Sequence, residues 1–207
     1  CIVLTTRGSY AKFISVIEAL NKEKNVILYL IEAGALILDK YGKIINTSYS
    51  KKLKIHRRIN YIIEGEDLYS MTKSAGIALV EFSEVFNQIK PNIVMLLGDR
   101  YETLPIAIAA AYQNITLVHL EGGEITGSID ESIRHSITKL SHIHFPCTAN
   151  AKKRIIKMGE DKNRVFNFGS TSLDYLKAIN LNDINFINDY QINHGVGPNF
   201  DFEKKNY

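Results

Sequence analysis

NIVMLLGDRYETLPIAIAAAYQNITLVHLEGGEITGSIDESIRH, residues 92–135, reads as strand, helix, strand and helix in succession. Its two apolar runs, NIVMLLG (92–98) and ITLVHLE (115–121), lack the strict alternation of a half-exposed strand, which suits strands buried on both faces. Between them ETLPIAIAAAYQ is a very apolar helical segment with Pro105 suited to its first turn. Each run ends in a carboxylate, Asp99 and Glu121, where a core accepts neither without a partner or a ligand.

The same punctuation extends outward. CIVLTT (1–6), NVILYLIE (25–32), HIHFPC (142–147) and RVFNFG (164–169) are further β-rich runs. YAKFISVIEALNKEK sets Phe13, Val16, Ile17 and Leu20 on one helical side, and LYSMTKSAGIALVEFSEVFNQIK is a second helix ended by Pro91. Strand alternating with helix predicts an α/β fold, a Rossmann-like parallel sheet with helices on both faces. Residues 33–68 read as irregular or short β structure, with a turn at DKYGK. The Asn-rich INLNDINFINDYQINHGVGPNF (179–200) reads as a connection, so one domain is expected over 1–180, and an interdomain connection with the start of a further C-terminal domain over 181–207. The chain opens without Met in an apolar run and stops in FDFEKKNY, so it is expected to be a domain of a longer protein.

Bulk properties narrow the function. The chain has 207 residues, 45% hydrophobic and 23% charged, enough for one substantial core. A net charge of +3 is scattered through the chain, without the basic stripe of a nucleic-acid footprint. No run approaches the roughly 18 apolar residues of a membrane span, and no leader precedes the first strand, so a cytoplasmic protein is expected. The two cysteines lack metal or disulfide spacing, and Cys147 is read as a core thiol.

In an open parallel sheet, ligands bind beyond the carboxyl ends of the strands. Arg7, Asp99 and Glu121 all stand at such ends. Asp99 can be a general base or merely cap the following helix. Glu121 precedes Gly122 and Gly123, which permit positive φ and a close approach of substrate to the main chain. His119 shares its side of the strand, as a core histidine or a substrate contact. SIDE (128–131) has capping-box spacing, so Glu131 can be a cap or a catalyst. Ile129, Ile133, Ile137 and Leu140 form the buried stripe, leaving Asp130, Glu131, Arg134 and His135 off it, with Asp130 and Arg134 spaced to pair. In TTRGSYAK, Arg7 and Lys12 flank a helix start suited to a phosphate, whereas a single Gly8 excludes a dinucleotide fingerprint. His142 and His144 lack a third metal ligand. No metal or other cofactor is expected.

Together TTRGSYAK, DKYG, EGED, KPNIVMLLGDRYETLPIAIAAA, HLEGGEITGSIDESIRHSITKLSHIHF and GSTSLDYL resemble the hydrolysing UDP-N-acetylglucosamine 2-epimerases, in their sialic-acid branch. The resemblance implies the first domain of a glycosyltransferase-B type two-domain fold, with the active site in the cleft, so the first domain alone would be inactive. It also implies a UDP-sugar as partner and a homodimer. By position, Asp99, Glu121 and Glu131 match the family's catalytic carboxylates, with Asp130 able to replace Glu131. Arg7 and Lys12 match its diphosphate-end cations, and Arg134 matches the arginine that steadies the acidic pair. The reaction implied is elimination of UDP to a 2-acetamidoglucal, then hydration to N-acetylmannosamine. One departure is Leu36, where the branch has a histidine. A related branch acts on UDP-2,4-diacetamido-trideoxyhexoses, and Leu36 keeps that alternative open beside a glycosyltransferase of the same fold.

Overall fold

A computed structural model describes residues 1–41, 53–65 and 67–174. Among them six strands, β1 (Ile2–Leu4), β2 (Leu30–Ala33), β3 (Arg57–Ile59), β4 (Ile93–Leu97), β5 (Thr116–Leu120) and β6 (Ile143–Phe145), form one sheet in the order β3-β2-β1-β4-β5-β6. Every neighbouring pair is parallel. The register couples Leu4 to Glu32 and Leu97 to Leu120, so the strands finish together and their following loops share one edge.

Among the described residues five α-helices complete the layers: α1 (Arg7–Lys22), α2 (Leu68–Ile89), α3 (Leu104–Tyr112), α4 (Ile129–Leu140) and α5 (Ala149–Lys157). Alternate strand residues Val3, Ile31, Val94, Leu96 and Leu117 share a core with Phe82 and Phe86 of α2, Ile106 and Ala110 of α3, and Ile137 of α4. Phe13, Ile14 and Ile17 of α1 and Ala151 and Ile155 of α5 are buried outside that cluster. That division is what right-handed crossovers give when the strand order reverses at β1. Helix starts are written locally. Thr6 and Ser9 exchange side-chain to backbone bonds of 3.0 Å at α1, and Asp67 accepts from the Ser70 amide at 2.7 Å to open α2.

The sheet differs from expectation at its two ends. NVILYLIE pairs only from Leu30, because Ile2 is level with Leu30 and the preceding residues have no strand beside them; Ile27 is 96% exposed. RVFNFG makes a single bridge, Val165 to His144, and its Phe166 and Phe168 stack with Phe145 instead of entering a ladder. The irregular segment after residue 33 holds the short strand β3. The chain divides into a compact unit Cys1–Thr171 and a second unit Ser172–Tyr207, whose residues beyond 174 lie outside the described set, as does the expected boundary at 180. No helix among the described residues is long and apolar enough to cross a membrane.

Candidate active site

A cavity of about 300 Å³ opens at the carboxyl edge between β1 and β4, where the strand order reverses. The β1–α1 turn supplies Thr5, Thr6, Gly8, Ser9 and Lys12 to its walls. Asp99, Arg100 and Thr103 follow β4, Glu121 and Glu124 follow β5, Arg134 comes from α4, and Cys147 and Ser170 close the far side.

The carboxylates are set in different ways. Asp99 is ion-paired with Arg134, whose guanidinium is buried and also donates to the Glu124 carbonyl at 2.7 Å. Burial pulls Arg134 down from its ordinary value, and the Asp99 carboxylate opposes that cost. Glu121 is ion-paired with Lys12 and accepts from the Ser170 hydroxyl at 3.4 Å. Its backbone has φ 62°, a left-handed conformation unusual for a side-chain-bearing residue, held by its amide donating to the Phe145 carbonyl at 2.9 Å. Glu124 lines the same cavity and accepts from the Thr148 hydroxyl at 2.9 Å. Glu102 is 1% exposed and receives a fork of bonds from Arg100 at 3.0–3.2 Å; that contact raises Arg100 from its ordinary value.

Asp99, Glu121, Lys12 and Arg134 are therefore brought together. Four other candidates are placed elsewhere. His119 is fully buried beneath the floor, with Nε2 2.8 Å from the Gly98 carbonyl and Nδ1 3.1 Å from the Thr138 hydroxyl, so it is a core histidine and not a cavity contact. Burial lowers its pKa to about 4, which keeps it neutral. Arg7 is exposed at the first residue of α1, outside the lining. Glu131 accepts from the Thr126 and Gly127 amides at 2.9 Å each, and these donors hold its carboxyl below the ordinary value. It closes the loop before α4 in place of a reciprocal capping box, while Ser128 accepts from the Asp130 amide at 3.3 Å. Asp130 is half-buried outside the lining and within electrostatic reach of Arg100.

Three packing expectations are corrected. Ile129 is 64% exposed, whereas Arg134 takes a buried place on α4 and reaches Asp99 across the β4 end instead of pairing with Asp130. Gly123 takes the positive φ expected of it, 84°, but the space at both glycines is filled by packing rather than left to substrate. A Cβ on Gly123 would meet the Ala151 carbonyl oxygen at 2.6 Å, and one on Gly122 would meet His119 Nδ1 at 2.9 Å. Cys147 is half-buried and lines the cavity rather than the core. Burial first, then the Glu121 charge, pushes its thiol up, so it stands as a neutral thiol.

Leu36 is buried and lines no part of this cavity, its amide donating to the Thr5 carbonyl at 2.9 Å. The sequence reading missed Glu124, Cys147 and Ser170. Glu124 had a signal, a third carboxylate directly after the paired glycines; Cys147 and Ser170 had none, because their places depend on how α5 returns to the sheet. No group of three or more His, Cys, Asp or Glu suited to a metal occurs among the described residues. The arrangement can hold an anion near Lys12 and the α1 start, and it sets acids and bases at separate points of one small space.

A sequence model described as UDP-N-acetylglucosamine 2-epimerase matches residues 18–201. The chain is 38% identical over 182 residues to a GDP/UDP-N,N'-diacetylbacillosamine 2-epimerase (hydrolyzing) of Campylobacter jejuni, covering 87% of this chain and 47% of that protein. It is 30% identical over 189 residues to a UDP-N-acetylglucosamine 2-epimerase of Neisseria meningitidis, covering 89% and 48%. The crystal structure of a UDP-GlcNAc 2-epimerase from Neisseria meningitidis bound to UDP-GlcNAc superposes with a TM-score of 0.79 at 20% identity, over 95% of this chain and 53% of that one. The chain thus spans about half the length of the relatives it matches.

Proposed function

The chain belongs to the UDP-N-acetylglucosamine 2-epimerase family, and from that premise we propose that it forms the first domain of a two-domain hydrolysing 2-epimerase. The substrate proposed is UDP-N-acetylglucosamine and the products are UDP and N-acetylmannosamine. One observation carries the reading: Asp99 and Glu121, each held by its own cation, face one cavity at the switch point of the sheet.

The chemistry needs such a division. In the first half a base removes the proton at C2, that electron pair forms the C1=C2 bond, and the C1–O bond breaks with its pair passing to the diphosphate. In the second half water adds, hydroxyl to C1 and proton to C2. We assign Asp99 to the C2 proton, because Arg134 fixes one carboxylate oxygen and orients the other. Lys12 and the N-terminal turn of α1 receive the diphosphate, with exposed Arg7 at the approach. Glu121, set by Lys12 and Ser170, is assigned to the leaving group. Asp130 rather than Glu131 completes the acidic set, since Glu131 is committed to two amides. A cytoplasmic homodimer belongs to the same proposal.

A second reading is favoured by one finding, the 38% identity to a diacetylbacillosamine epimerase against 30% to a UDP-N-acetylglucosamine epimerase. In it the substrate carries a second acetamido group. Both readings are tested with the two-domain protein in D₂O, followed by NMR. Free UDP with a mannose-configured product deuterated at C2 supports the epimerase; intact nucleotide sugars of both kinds refute it. The ratio of kcat/KM for the two sugars chooses between the substrates.

A further inference from the structure

Within that epimerase reading, we propose that Glu124 is a further catalytic carboxylate, the base that takes a proton from water in the hydration half of the reaction. Three carboxylate-bearing residues line the cavity, and two are already committed: Asp99 to Arg134 and Glu121 to Lys12 and Ser170. Glu124 differs. Among the described residues it has no cation within ion-pair distance, and its side chain's hydrogen bond comes from a neutral hydroxyl, Thr148 Oγ1 to Oε1 at 2.9 Å.

That single bond is directional. Thr148 Oγ1 accepts from the Ala151 amide at 3.1 Å as the cap of α5, which turns its proton toward Glu124. The Glu124 main chain is fixed as well, its carbonyl accepting from Arg134 Nη1 at 2.7 Å, so one guanidinium sets the spacing between Asp99 and the residue that carries the third carboxylate. One oxygen is thus anchored, and the second has no partner among the described residues. An oxygen with neither a cation nor a donor on it is open to accept a proton from water. Asp130 also lacks an ion pair among the described residues, but it stands outside the lining.

The step balances as follows. The proton that Asp99 took from C2 passes to solvent, and C2 takes a solvent proton on the opposite face, as the manno configuration requires, while the C1=C2 pair closes on it. Water forms its oxygen bond to C1, and its displaced proton goes to Glu124, which later releases it to solvent. Elimination needs none of this.

The test separates the halves in the two-domain protein, with UDP release and sugar formation followed independently and the 2-acetamidoglucal also supplied as substrate. Glu124→Gln is expected to release UDP in the first turnover at near the native rate, to accumulate glycal, and to hydrate added glycal about 100-fold more slowly. Glu124→Asp recovers part of that rate. Hydration at the native rate in Glu124→Gln overturns the proposal, and so does a proportional fall in UDP release without glycal. Should Glu124→Gln fail to fold, Thr148→Val must itself accumulate glycal while Thr148→Ser does not; no glycal in Thr148→Val then counts as refutation. A native protein that leaves both nucleotide sugars intact removes the epimerase reading, and this one with it.

Discussion

The two ends of the sheet hold the same kind of backbone strain and use it differently. At the amino edge, Lys90 (φ 44°) ends α2 and Asn114 (φ 57°) turns the chain from α3 toward β5. At the carboxyl edge, Glu121 (φ 62°) takes the same left-handed form directly after β5. The amino edge even has the larger cavity, about 610 Å³ against about 300 Å³. Beside Phe86, Pro91 and Ile115 its lining has four amide side chains and one cation, Lys90, and no carboxylate. Size does not make a site here. What distinguishes the carboxyl edge is that loops after three strands deliver acids and cations into one space, whereas the amino-edge turns only reverse the chain.

The comparison is broken most directly by removing charge at the carboxyl edge. Asp99→Asn keeps shape but leaves Arg134 buried without its carboxylate, and it cannot accept the C2 proton. UDP release by the two-domain protein is expected to fall about 1000-fold, roughly 4 kcal/mol. Gln113→Ala at the other edge is expected to leave turnover unchanged. Equal loss from both substitutions would dissolve the distinction between the edges.

The next effect concerns the floor beneath the carboxyl edge. His119 has a folded pKa of about 4 against an ordinary 6.5, so between those values the unfolded chain binds more protons than the folded one. Stability from the neutral ring is therefore complete above pH 6.5 and is lost as pH falls toward 4, by about 3 kcal/mol at most. Urea unfolding at pH 7.5 and 5.0 measures it. His119→Gln is expected to flatten that slope; an unchanged slope would assign the acid sensitivity elsewhere, His144 being the nearest rival, since burial lowers it also.

Much of this was legible. The runs ending at Asp99 and Glu121 gave the sheet and its carboxyl edge, because apolar periodicity and a charge at a strand end are local signals. Spacing leaves Glu131 open between cap and catalyst because capping boxes and catalytic pairs share one spacing, and only geometry shows which amides reach the carboxylate. Arg134 was placed on the wrong helix face for a related reason: periodicity counts a guanidinium as solvent-facing, while an ion pair with Asp99 lets it take an inner position. Gly122 and Gly123 looked like room for substrate, yet the room is taken by His119 and α5. Long-range return of the chain decided the rest.

A smaller effect sharpens the electrostatics inside the cavity. Cys147 is held up by burial and by the Glu121 carboxylate, so Glu121→Gln lowers the thiol toward its ordinary value. In a Cys1→Ser background, iodoacetamide at pH 8 is expected to alkylate Cys147 about threefold faster in the Glu121→Gln variant, the gain in thiolate being offset in part by lower nucleophilicity. Saturating UDP should slow both reactions if the thiol faces the ligand space. A rate unaffected by Glu121→Gln would mean that the carboxylate does not reach the thiol.

The smallest expected effect returns to the strained residues. Lys90→Gly relieves a left-handed conformation at a helix end, where glycine has no Cβ to clash, and is expected to raise stability by about 0.5–1 kcal/mol with turnover unchanged. Glu121→Gly relieves the same backbone strain but removes the carboxylate that Lys12 and Ser170 hold, so any gain in folding comes with loss of UDP release. Strain at the amino edge can be removed because nothing but the turn depends on it. At the carboxyl edge it persists because a side chain must point from a position that glycine would suit better, and stabilisation with retained activity in Glu121→Gly would show that the edge was read wrongly.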